Sequence, residues 1–153
     1  MASSKIVILA LFCLVQQVFS FWTACPNGRL PIDVQTPHCT SNGCHAVRGE
    51  PFKMTVLMDF LQSHQQLRPR ATIFIFGVGI QIPDVPGHDD VCPHLLLNGQ
   101  HHGCPVAPQV QYTWDIDMLV PTNIPAFQNG RIRVEILEGT NVLICFDAHG
   151  TMT

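Results

Sequence analysis

Charge is what this sequence has least of. Only 12% of its 153 residues are Asp, Glu, Lys or Arg, against a usual quarter. Lysine occurs only at Lys5 and Lys53, and 8 basic residues face 11 acidic ones. No positive field remains to attract phosphate backbones, so nucleic acid is excluded as a partner. Serine is scarce too: beyond residue 20 it occurs only at Ser41 and Ser63, and neither lies in a G-x-S-x-G turn. There is no Asn-x-Ser/Thr sequon. Without an N-glycan there is no mannose-phosphate tag, so extracellular fluid is expected rather than the lysosome. Helical periodicity is missing as well. With 46% hydrophobic residues the chain is nevertheless not disordered, and its length suits one domain.

One apolar run stands apart. Ile6 to Val15 follows the positive Lys5, and Val18 and Ser20 precede a cut ahead of Phe21. This pattern predicts a secretory signal over residues 1–20, too short for the roughly 20 apolar residues that span a bilayer. No second such run follows, so no stable membrane insertion is expected. The mature unit would be one exported domain over residues 21–153. Losing Lys5 takes its formal charge one unit below the −3 of the full chain.

The cysteines agree with export. Of 7 in the sequence, Cys13 leaves with the signal. The even remainder of Cys25, Cys39, Cys44, Cys92, Cys104 and Cys145 reads as disulfides, with many connectivities open on paper. Spacing narrows them. Cys39 and Cys44 flank a turn-forming stretch, Cys92 and Cys104 bracket a Gly- and His-rich loop, and local pairing of both couples leaves Cys25 with Cys145.

Most of the chain alternates with a period of two. Leu30, Ile32 and Val34 do so first. Phe52, Met54, Val56, Met58 and Phe60 then form one apolar face. Ala71 to Phe76, with Ile73 and Ile75, is apolar on both faces except for Thr72, and Val78, Ile80 and Ile82 follow. Val110, Tyr112, Trp114 and Ile116 oppose Gln111, Thr113 and Asp115. Ile132, Val134 and Ile136 alternate with Arg131, Arg133 and Glu135, and Val142, Ile144 and Phe146 close the set. About seven strands in two antiparallel sheets make an all-β, immunoglobulin-like sandwich the expected fold. Its bridges fall at the ends and in loops, so the centre can part around a cavity.

Catalysis is not indicated. The six cysteines are assigned to bridges, and the acid pairs Asp89-Asp90 and Asp115/Asp117 fit a solvated loop and an outer strand face. His88, His94, His101 and His102 gather with Asp89 and Asp90 around the Cys92–Cys104 loop. Their spacing matches no zinc pattern, so no metal is assigned, although a proton-responsive loop is a possible use. The stronger signal is the set of inner faces. Met54 and Met58 offer an adaptable lining, and Val120, Ile124 and Phe127 lie in Pro-marked backbone suited to a rim. Phe52, Met54, Val56, Met58, Phe60, Ile73, Ile75, Ile80, Ile82, Val110, Tyr112, Trp114, Val120, Ile124, Phe127, Ile132, Val134, Ile144 and Phe146 are thus the candidate lining and mouth of an apolar pocket.

In order, Cys25, Cys39-x4-Cys44, Arg48-Gly49-Glu50-Pro51-Phe52, Val85-Pro86-Gly87 and Cys92 lead to Cys104-Pro105-Val106. Gln111-Tyr112-Thr113-Trp114, Val134 and Cys145-Phe146 complete a pattern. It resembles the ML-domain lipid-recognition family, which includes the Niemann–Pick type C sterol carrier and the group-two mite allergens. The resemblance covers residues 22–148. It implies an immunoglobulin-like sandwich holding one lipid between its sheets, with pairs Cys25–Cys145, Cys39–Cys44 and Cys92–Cys104, no enzymatic activity and no cofactor. The sterol carrier guards its pocket with a phenylalanine, a valine and a tyrosine. Ile82, Val120 and Ile124 fall at those positions here, so both aromatics are replaced by aliphatics. Arthropod members that carry fatty acids and chemical signals are the kind this chain fits best. The resemblance therefore implies a secreted, monomeric carrier of a fatty acid or semiochemical-like ligand. A sterol carrier and a lipid-sensing co-receptor of innate immunity are the alternatives.

Overall fold

A computed structural model describes residues 21–82 and 90–153. The expected signal over 1–20, the Val85-Pro86-Gly87 motif, His88 and Asp89 lie outside the described residues. Among the described residues, twelve strands form two sheets. The first contains β1 (Trp22–Ala24), β3 (Cys39–Thr40), β4 (Gly43–Ala46), β6 (Arg68–Ile75), β7 (Val78–Gln81), β11 (Phe127–Glu138) and β12 (Asn141–Met152). Its order is β3-β4-β12-β11-β6-β7, with β1 also on β12. The second contains β2 (Asp33–Gln35), β5 (Pro51–Asp59), β8 (Leu95–Leu97), β9 (Gln100–His101) and β10 (Gln111–Leu119), in the order β2-β5-β10-β8-β9.

The all-β sandwich expected from the alternating faces is present, with additions. β1, β3, β4, β8 and β9, of two to four residues, are too short to show a period, which is why the alternation gives about seven. Among the strand pairs of the described residues one is parallel, β4 along the end of β12 with Cys44 opposite Gly150, and the isolated Arg29–Ile144 bridge is parallel too. A Cβ on Gly150 would meet the Cys44 carbonyl, so only glycine lets the two backbones approach here.

Register explains the faces. Along β5 and β10, Met58 opposes Tyr112, Val56 opposes Trp114, Met54 opposes Ile116 and Phe52 opposes Met118, all inward. On the outer side the Thr55 hydroxyl donates to Asp115 at 2.7 Å, and Lys53 pairs with Asp117 at 3.3 Å. Each such cross-strand pair contributes about 0.2–1 kcal/mol.

The outer face of the first sheet is less solvated than alternation implies. Glu135 and Asp147 are buried there. Arg133 grips Asp147 through two hydrogen bonds of 2.8 and 2.9 Å, and Arg70 grips Glu135 through two of 2.6 and 3.0 Å. The Arg131 guanidinium lies 4.4 Å over the Phe74 ring and helps cover the ladder. The carboxylate hydrogen bonds raise the pKa values of Arg70 and Arg133 above the ordinary arginine value, against a smaller desolvation effect.

Two other segments differ from expectation. Leu30 and Ile32 are exposed, leaving Val34 as the buried member of that run. The segment between Cys92 and Cys104 is a hairpin rather than a loop. Asn98-Gly99, both at positive φ, makes the two-residue turn that matches strand twist between β8 and β9. Phe76-Gly77 makes the equivalent turn between β6 and β7, and it leaves the Phe76 side chain 99% exposed.

All three disulfides are formed as expected: Cys25–Cys145, Cys39–Cys44 and Cys92–Cys104. Each joins segments of one sheet layer, and none crosses between layers.

Candidate functional site

The space between the sheets is filled at one end and hollow toward the other. Val56, Met58, Phe60, Tyr112, Ile144 and Phe146 belong to the larger buried cluster and pack with Leu67, Val91 and Leu95. A smaller cluster of Ala46, Ile73, Val120, Ile124, Phe127 and Met152 closes the opposite end. Between them lies a cavity of about 130 Å³, counted as space open to the centres of water-sized spheres. One water needs about 10–15 Å³ on that measure.

Alternation places the wall. β10 contributes Trp114, Ile116 and Met118, and β5 contributes Phe52 and Met54 from the second sheet. β6 and β11 contribute Pro69, Ala71, Ile132 and Val134 from the first. Ile132 and Val134 sit on a strand flanked on both sides, yet they are only half-buried. Their accessible surface is that of the cavity. Pro69 is tolerated in β6 because β7 pairs only from Thr72 onward, so no ladder bond is lost on that side.

Two polar residues, Arg70 and Gln81, also border the cavity, but they stand in register with the outer-face residues Glu135 and Thr72, so their side chains point away from it. Arg70 is held by Glu135, and Gln81 is exposed. Across the opening, the Arg48 guanidinium reaches the Ile124 carbonyl at 3.5 Å. Arg48 thus stands beside the Ile124 end of an otherwise apolar space.

The expected pocket residues divide into four groups. Phe52, Met54, Ile82, Trp114, Val120, Ile124, Ile132 and Val134 line the cavity. Val56, Met58, Phe60, Tyr112, Ile144 and Phe146 point inward but into the filled end, with Val110 packed against them. Met58 is therefore core rather than adaptable lining. Ile73, Ile75 and Phe127 belong to the smaller cluster without touching the cavity. Ile80 lies on the edge strand β7, 37% exposed and outside the cavity. Face periodicity gives direction, not depth along the strand. Sequence reasoning missed Ala46, Pro69, Arg70, Ala71, Gln81, Ile116, Met118, Pro121 and Met152 as wall residues. Ile116 and Met118 continue the β10 alternation and were findable; the alanines and prolines carry no apolar period.

None of the described histidines lines the cavity. His94 ends a 3-10 turn (Cys92–His94), His101 lies in β9, and the His102 ring sits 5.3 Å from that of Tyr112. Among the described residues, no three His, Cys, Asp or Glu side chains converge as a metal site would require. No helix among them is long and apolar enough to cross a membrane.

A two-sheet sandwich enclosing an apolar chamber, without inter-sheet crosslinks, defines a class of small-molecule-enclosing β domain. The sequence model of the ML domain matches residues 20–151, and the chain belongs to the ML-domain lipid-recognition family. Two solved structures share the fold. A Niemann-Pick type C2 protein from Japanese carpenter ant is 14% identical at a TM-score of 0.72, over 86% of this chain and 98% of its own. Chicken MD-1, crystallised with lipid IVa, is also 14% identical, at a TM-score of 0.51 over 85% and 87%. No curated protein matches the sequence.

Proposed function

We propose that the protein is a secreted, monomeric carrier that holds a chain lipid, of fatty-acid or semiochemical-like kind, between its two sheets, after removal of residues 1–20 as a signal. It performs no chemistry on its cargo. The observation that carries this reading is the apolar chamber between Trp114, Ile132, Val134 and the Val120–Ile124 end. Each methylene moved there from water gains about 0.8 kcal/mol. A dozen give on the order of 10 kcal/mol gross, enough for micromolar affinity after association costs. A carboxylate head group stays hydrated at the opening, near Arg48, because burying it would cost more than the chain gains. The aliphatic side chains of Ile82, Val120 and Ile124 favour a flexible chain over a rigid ring system. The relatives' names agree in kind, since chicken MD-1 was crystallised with a lipid.

Native mass spectrometry on delipidated protein offered oleic acid and cholesterol together tests the reading. A single oleate-sized mass shift is expected. A cholesterol shift would replace chain carriage by sterol carriage, and no uptake of either would end the proposal.

A further inference from the structure

The outer face of the first sheet carries a groove of about 580 Å³, on the same measure as the cavity. Its lining shares no residue with the cavity wall, so the two sites are separate. Strand register assembles it. Arg131 on β11 stands opposite Phe74 on β6 and His149 on β12, and Thr151 stands opposite His45 on β4. Alternation turns these side chains outward, to the same side as Arg133 and Asp147. The His45 Nδ1 lies 2.8 Å from the Thr151 hydroxyl, and the exposed amides Asn42, Gln128 and Asn129 also line the groove.

Among the described residues, no carboxylate lines this groove. Arg131 reaches Asp147 at 3.5 Å, but Asp147 already accepts two shorter bonds from Arg133. The Arg131 side chain is 38% exposed, and its guanidinium is held over the Phe74 ring. Its charge is therefore positioned and only partly matched. The turn beside it supplies an independent observation. The β8–β9 hairpin turns on Asn98-Gly99, the β6–β7 hairpin on Phe76-Gly77, all four at positive φ. Asparagine suits that conformation, whereas a bulky residue there is an outlier. Phe76 is also 99% exposed, so its ring buries nothing in the fold, and it borders the groove.

We infer that this groove binds an anionic saccharide, a sugar chain bearing carboxylates. Phe76 stacks on the apolar face of a sugar ring, the amides and imidazoles meet hydroxyls, and Arg131 pairs with a carboxylate. Other anions fit less well. An extended peptide binds by adding a strand to a sheet edge. This groove lies on a sheet face, where the backbone groups are already paired in the β11–β12 and β12–β4 ladders. A polyphosphate calls for several cations, and the groove offers one arginine with two histidines.

Isothermal titration calorimetry on the disulfide-intact protein tests the assignment with trigalacturonic acid, its methyl ester and tetraglutamate. The acid is expected to bind about tenfold tighter than the ester, which keeps the rings and loses the charge. Phe76→Ala, at a wholly exposed turn, should weaken the acid about tenfold and leave oleic acid uptake unchanged, since Phe76 lies outside the cavity. Arg131→Gln should bring the acid to the level of the ester; the comparison of acid with ester needs no variant and stands even if this one does not fold. No binding of the acid, equal binding of acid and ester, or an acid indifferent to Phe76→Ala would overturn the inference. Tetraglutamate bound as tightly as trigalacturonate would overturn it too, in favour of an acidic peptide.

Discussion

Ala71 offers a substitution that should move stability and binding in opposite directions. It lies on β6 opposite Val134 and forms part of the cavity wall. Leucine there adds three carbon atoms to a chamber of about 130 Å³, roughly ten times the space that admits one water. Each carbon removed from water gains about 0.8 kcal/mol, so the gross gain is about 2.4 kcal/mol. Immobilising the leucine side chain returns about 0.5–1 kcal/mol, and the delipidated protein should gain about 1.5–2 kcal/mol. With a urea m-value of about 1–3 kcal/mol/M, the unfolding midpoint rises by roughly 1 M. The same carbons occupy cargo space. If affinity falls tenfold, a ligand present at about 100 times its original Kd stabilises the variant by about 1.4 kcal/mol rather than about 2.7. Urea unfolding with intact disulfides, with and without oleic acid, reads both effects. Val56→Leu is the control, because Val56 is fully buried opposite Trp114 in the filled end. Overpacking there should cost about 1–3 kcal/mol. A loss of stability in delipidated Ala71→Leu, or an undiminished oleate effect, would refute the hollow chamber on which the reasoning stands.

Two further expectations concern groups away from the chamber. Asp147→Ala should destabilise by about 3–5 kcal/mol, because it leaves Arg133 without the carboxylate that binds it bidentately at a site where Asp147 is only 4% exposed. Pairing the change with Arg133→Met should recover more than half of that loss, and an additive double mutant would refute the coupling. Glu138 accepts hydrogen bonds from His64 Nδ1 at 2.8 Å and from the Gln65 backbone N–H at 3.1 Å, the first being the main cause that lowers its pKa from 4.5. A carboxylate with a depressed folded pKa contributes its full stabilisation above the unfolded value and loses it as pH falls through the folded one. Glu138→Gln should therefore flatten the loss of stability below pH 4.5 while lowering stability at neutral pH, measured by thermal unfolding across acid pH. Parallel curves for the two proteins would exclude this contribution.

The strand faces were legible because alternation is a local property. Phe52 to Phe60 and Tyr112 to Ile116 point where the period puts them, and the even set of cysteines beyond residue 20 paired as spacing suggested. Depth was not legible. Met54 and Met58 share one face of one strand, yet the first lines the cavity and the second fills the core, since the difference is set by how far the facing sheet has splayed. Nor could the outer face be read from charge alone. Glu135 and Asp147 look solvated in the alternation and are buried because arginines on neighbouring strands lie across them. Asn98-Gly99 is a strong hairpin signal, but among closely spaced histidines and cysteines it read as loop.

The division into a filled end and a hollow end also bears on how such a protein can change over time. The large cluster around Tyr112, Phe146 and Ile144 holds the two sheets in register without help from most of the wall. Substitutions at Ala71 or Ile132, which line the chamber without packing on that cluster, therefore reshape it while the principal reservoir of folding stability stays intact. A scaffold built this way can exchange one cargo for another through single changes that remain foldable.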